Sequence, residues 1–166
     1  MRIVGNITAL AVATVLVGAV GGGVAQAAPS GGGAPSACRP ANHLAKISAA
    51  PASSGHRHYR VTLTAAPGYA ACELAGSPVD VRFSHHGAVG AVTAGRYGSQ
   101  SAVVRFGPGH PVHFDIQVPS GPRAIPADEA TFTLSAPGGV IPGESTAHGA
   151  LAVAPGTVVG PVRAGA

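Results

Sequence analysis

Glycine and proline punctuate this chain so densely, at 25 and 15 of 166 residues, that almost no window long enough for a stable helix is without a breaker. What such a chain can build is a set of short strands joined by tight turns. The side chains available for a core are small. Aromatic residues make up only 4% of the chain, and the 46% hydrophobic fraction contains many alanines and an apolar N-terminal run.

Alternation of apolar and polar residues marks half-buried strands. Tyr59-Arg60-Val61-Thr62-Leu63-Thr64 places Tyr59, Val61 and Leu63 on one face. Val79 to Ser84 repeats the pattern with Val79, Val81 and Phe83 inward, as does Val112 to Val118. A further strand is predicted over Ser101 to Phe106, with Val104 and Phe106 inward, and another over Ala130 to Ser135. Weaker ones cover His43 to Ala49 and Ala150 to Ala154. The joins carry turn chemistry, as in Ala66-Pro67-Gly68, Gly107-Pro108-Gly109 and Pro137-Gly138-Gly139. Short strands at this spacing predict an all-β sandwich or barrel. Alternation predicts antiparallel sheets with one wet face, and two of them packed inner face to inner face is the simplest solution.

Four regions follow. Residues 1–27 read as a secretory signal: Arg2, an apolar run through Val20, a Gly21-Gly22-Gly23 break and an Ala25-Gln26-Ala27 cleavage site, with Ala28 as the alternative. Residues 28–37 read as a flexible Gly/Pro/Ser linker and 38–154 as the β domain. Residues 155–166 are expected to be a disordered tail. No membrane span is expected once the signal is removed. The two cysteines, Cys38 and Cys72, lie beyond the signal, and an even count in an exported chain reads as one disulfide. Pro35-Ser36-Ala37 ahead of Cys38 is not a lipid-attachment triplet, so Cys38 is structural.

The formal charge is +4, and loss of Arg2 leaves nine cationic against six anionic side chains, a net +3. The arginines are scattered and no aromatics interleave them, which argues against nucleic acid as a partner.

Taken in order, Cys38, the Tyr59–Thr64 strand, Cys72-Glu73-Leu74-Ala75-Gly76-Ser77-Pro78 and the later Phe106-Gly107-Pro108-Gly109 turn carry a resemblance. The chain resembles the secreted actinobacterial family catalogued as domain-of-unknown-function family 4232, over about Cys38 to Val153. The resemblance implies an immunoglobulin-like antiparallel β-sandwich outside the cell, with Cys38 bonded to Cys72 and no catalytic or ligand residues. The chain departs from the family pattern at Ala65, where an asparagine is usual, and at Ser77, where a tyrosine is usual. It also lacks the second cysteine pair of many members.

Eight histidines are the one compositional oddity. His56 and His58 share a strand face by their spacing, while His110 and His113 flank the start of a later strand. These four are the candidate ligands for Zn²⁺ or Cu²⁺, against which stands the absence of a carboxylate or cysteine at a recognised ligand spacing. His85-His86 opens a turn, and Asp128-Glu129 reads as a solvated turn pair before the Ala130 strand. No Gly-x-Ser-x-Gly elbow, His-Glu-x-x-His helix or phosphate-cradling loop occurs. The expectation is an exported, non-enzymatic binding module needing no cofactor, with an extracellular or cell-envelope partner contacting the loop-rich stretch Ser84 to Gly98, which holds His85, His86, Arg96 and Tyr97. A metal-binding exported protein is the alternative.

Overall fold

The structure, a computed structural model, describes residues 33–53 and 55–166. The segment read as a signal, and the linker up to residue 32, lie outside the described residues. A 3₁₀ turn, Pro40–Asn42, precedes the strands of the described residues. These are β1 (His43–Ser53), β2 (His56–Ala65), β3 (Cys72–Ala75), β4 (Val79–His85), β5 (Ala88–Thr93), β6 (Gly95–Arg96) and β7 (Val103–Phe106). Then come β8 (Val112–Pro119), β9 (Ile125–Thr133), β10 (Ser135–Ala136), β11 (Gly139–Val140), β12 (Ser145–Val153), β13 (Val158–Val159) and β14 (Arg163–Ala164). The fold is all-β, and no helix of the described residues is long and apolar enough to cross a membrane.

One long sheet runs β5-β4-β9-β12-β1-β2-β8-β13-β6, with β14 also paired to β8. The β3–β7 pair and the β10–β11 hairpin stand outside it. The sheet is mixed, which corrects the wholly antiparallel expectation: β1 runs parallel to β12, and β6 to β13. Alternation reports burial on one face and says nothing about a neighbour's direction, so the local pattern could not carry this information.

The strands of strong alternation bury most of the faces predicted for them, with Tyr59 and Val79 only half-buried. Val61, Leu63, Val81, Phe83, Val112, Phe114, Ile116 and Val118 all lie in the core. All four phenylalanines of the chain are buried, and Phe114 meets Phe132 edge to face at 5.0 Å. Each contributes about 1.5–3 kcal/mol of apolar burial. The β3–β7 pair adds Leu74 and Phe106 to this same core. Tyr59 faces the core edge, and its hydroxyl accepts the Ala152 N–H of β12 at 2.9 Å, near a break in that strand's register with β9.

Three boundaries differ from expectation. The tail from residue 155 is ordered by pairing: β13 and β14 both bond to β8, and Thr157, Val159 and Val162 are buried. Its apolar residues are separated by glycines and prolines into runs too short to show a period. Folded structure also begins before Cys38, since Ala37 is fully buried and its N–H donates to Ala70 O at 2.8 Å, with Ala70 N–H returning to Pro35 O at 2.9 Å. Finally, Asp128 and Glu129 lie inside β9, which starts at Ile125 and pairs on both sides, so they are strand residues and not a turn.

Cys38 and Cys72 form a disulfide between the segment ahead of the 3₁₀ turn and β3. His43, at the start of β1, anchors the same segment. Its Nδ1 lies 2.9 Å from Ala37 O and its Nε2 2.9 Å from Ser145 Oγ at the start of β12. A carbonyl can only accept, so Nδ1 carries the proton and Nε2 accepts from the serine hydroxyl. Burial holds the His43 pKa below its ordinary value of 6.5, against the opposing effect of the Ala37 and Arg39 carbonyls.

Candidate functional site

The four histidines singled out by spacing do not come together. His56 and His58 stay near each other on β2, ring centroids 6.5 Å apart, and His58 Nε2 meets Ser53 Oγ at 2.7 Å. On β8 the register sets Gln117 opposite His58 but His113 opposite Thr62. His113 therefore stands four residues along, about 13 Å away at the rise of a strand. It is buried, with Nδ1 3.0 Å from Gly165 O. His110 sits in the turn between β7 and β8, its N–H bonded to Gly107 O at 2.9 Å.

The stretch from Ser84 to Gly98 is mostly strand, which corrects its reading as a loop. β4 ends at His85, turns through His86-Gly87 and returns as β5, with His85 paired to Ala88. The segment's glycines, alanines and exposed edge position left little alternation to read. Both turn residues have positive φ, 51° at His86 and 80° at Gly87, as a type I′ hairpin requires. Asparagine commonly fills the first of these positions, whereas an ordinary side chain there costs about 1–2 kcal/mol.

Here the turn meets β9. Pairing of Ser84 with Glu129 sets Asp128 across from His85, two residues beyond the Phe83–Ala130 pair that faces the core. The Asp128 carboxylate accepts the His86 backbone N–H, at 3.2 Å to Oδ1 and 3.0 Å to Oδ2. Its Oδ2 also lies 3.2 Å from His85 Nδ1 and 3.3 Å from His86 Nδ1. The two imidazoles are tilted against each other with centroids 4.0 Å apart. His85 Nδ1 is shielded from solvent yet out of hydrogen-bond alignment with the nearby carboxylate. The His86 N–H holds the Asp128 carboxyl below its ordinary range, against desolvation and with lesser help from the two imidazoles. Glu129, next along the strand, points to the opposite face, where it accepts from Ser84 Oγ at 2.9 Å and meets His148 Nδ1 at 3.5 Å.

A second feature lies over the disulfide. The Cys38–Cys72 bridge, the 3₁₀ turn and the β10–β11 hairpin enclose an open groove of about 890 Å³. Pro40, Ala41, Pro137, Ile141 and Pro142 form apolar walls, and Arg39 and Glu73 supply the only charged side chains of the lining. The walls are pinned at several points. Asn42 Nδ2 donates to Ser36 O at 2.7 Å, and Ile141 N–H closes the hairpin on Leu134 O at 2.9 Å. Nothing in the local pattern announces the groove, because its walls come from segments a hundred residues apart in the chain.

No family model, curated protein or solved structure matches this chain.

Proposed function

We propose that the chain is an exported, non-catalytic binding module with an immunoglobulin-like β-sandwich fold, acting outside the cell or at the cell wall on a cell-envelope partner. The groove beside Cys38–Cys72 carries this reading. Its volume of about 890 Å³ and apolar walls suit capture of an apolar group, and the disulfide holds one wall fixed before any ligand arrives. The signal-like N-terminal sequence and the disulfide both suit an oxidising compartment. Support for the sandwich comes from the β3–β7 pair, which stands outside the long sheet and shares its core.

The experiment measures retention of the purified protein by isolated cell envelope, and of an apolar fluorescent probe by the protein, for the parent and for Ile141→Asp. Ile141 is only partly buried against the core, so the variant should fold and lose both activities. Equal retention by parent and variant, or none by either, refutes the proposal.

A further inference from the structure

Two imidazoles and a carboxylate, brought to one point by a hairpin tip and the strand beside it, form a group that the binding-groove reading leaves unused. We propose that His85, His86 and Asp128 make a divalent transition-metal site, taking Zn²⁺ or Cu²⁺ through the two Nδ1 atoms and one carboxylate oxygen. Among the described residues this is the one set of three metal-capable side chains whose ligand atoms converge, all lying within 4.8 Å of one another.

The spacing suits a metal already. Ligand atoms about 2.0–2.1 Å from a tetrahedral Zn²⁺ stand about 3.3 Å apart. The two Nδ1 atoms lie 3.2 and 3.3 Å from Asp128 Oδ2. Small rotations of exposed side chains therefore suffice to seat an ion. Both nitrogens lie within 3.3 Å of a single oxygen, and His85 Nδ1 is shielded from solvent without a hydrogen bond, a lone pair that a cation would satisfy. The carboxylate is fixed in turn by the His86 backbone N–H, the kind of outer support that orients ligands in metal sites. The turn itself points the same way. Glycine or asparagine would hold the positive φ of residue 86 with less strain, and what histidine brings in exchange is a ring nitrogen.

Nitrogen-rich donors with one hard oxygen favour late first-row ions over Mg²⁺ or Ca²⁺, with Cu²⁺ binding more tightly than Zn²⁺. Three protein ligands leave a position open. The imidazole of His86 is largely exposed, so that position faces solvent and is accessible to water or to a donor group from a partner.

The test is calorimetric titration of the untagged chain with Zn²⁺ and with Cu²⁺ in a buffer that does not coordinate metal. One ion per chain should bind with a micromolar or tighter Kd. His86→Asn, which keeps the left-handed turn, and Asp128→Asn should each weaken binding by more than about tenfold. The pair His56→Gln and His58→Gln should leave it unchanged. Imidazole nitrogen resonances of His85 and His86 should shift together with the added Zn²⁺. Absence of saturable binding at millimolar metal, or binding that persists in both the His86 and Asp128 variants, overturns the assignment. Thermal unfolding of the unmetallated variants separates loss of a ligand from loss of the fold.

Discussion

Removing the disulfide through Cys38→Ala with Cys72→Ala should cost about 3.8 kcal/mol. The bridge closes a loop of sequence separation 34. The chain-entropy relation gives about 12.6 cal/mol/K for a loop of this length, hence about 3.8 kcal/mol at 25 °C. Over the roughly 130 folded residues, an unfolding entropy of about 2.1 cal/mol/K per residue converts this to a fall in Tm of about 14 °C. Packing adds to the loss with the same sign, because Cys38 is only 5% exposed and its sulfur leaves a gap in the wall of the groove. The assay is thermal and urea unfolding followed by circular dichroism, on the double variant and on the parent with and without reductant. The reduced parent should show the loop-closure loss alone, and the double variant that loss plus the packing of the missing sulfurs. A loss below about 1 kcal/mol would refute the reasoning, and would mean that the Pro35–Ala70 and Ala37–Ala70 hydrogen bonds and the buried Ala37 define this junction without help from loop closure.

His43 gives the stability a pH dependence. Its folded pKa lies below 6.5, so in that range the unfolded state binds more protons, and stability present above pH 6.5 is lost as the pH falls through the folded value. Urea midpoints at pH 8 and pH 5.5 should show the decline, and it should shrink in His43→Gln; an undiminished decline in that variant sinks the assignment. Gly149→Ala should destabilise by on the order of 3 kcal/mol. A Cβ there would overlap the Ile47 carbonyl oxygen and stand 2.9 Å from Ile47 Cβ, at a φ of 152°. Unfolding of that variant within a few tenths of a kcal/mol of the parent would show that β1 and β12 can separate without penalty.

The parts of the fold legible in sequence are those written in local alternation. β2, β4 and β8 each bury one face deeply, and Val61, Phe83 and Phe114 sit where their spacing puts them. β5 and β13 are short or edge-exposed, built from small residues, and leave no such trace. At β9 the Pro126 and Asp128-Glu129 positions look like breakers, yet Pro126 pairs with Ala152 of β12 and Glu129 is held between Ser84 of β4 and His148 of β12. The convergence of His85, His86 and Asp128 was hidden for a related reason. It depends on a register between strands some 45 residues apart, fixed by Ser84 against Glu129, and no spacing along the chain encodes it. His56 and His58 show the converse: their spacing gave a shared strand face, but the register of β8 keeps His113 away.

The parallel contact between β1 and β12 has a kinetic side. Ala45 pairs with Ala147, and the His43–Ser145 hydrogen bond beside it spans a separation of 102 residues. Closing so long a loop is entropically slow, and folds dominated by such distant pairings reach the native state in milliseconds to seconds, not microseconds. While that closure is pending, β1 and β9 each present an unpaired edge on the side where β12 will lie. Those two edges are the places where one nascent molecule can pair with another, so recovery of soluble protein should fall as chain concentration during refolding rises.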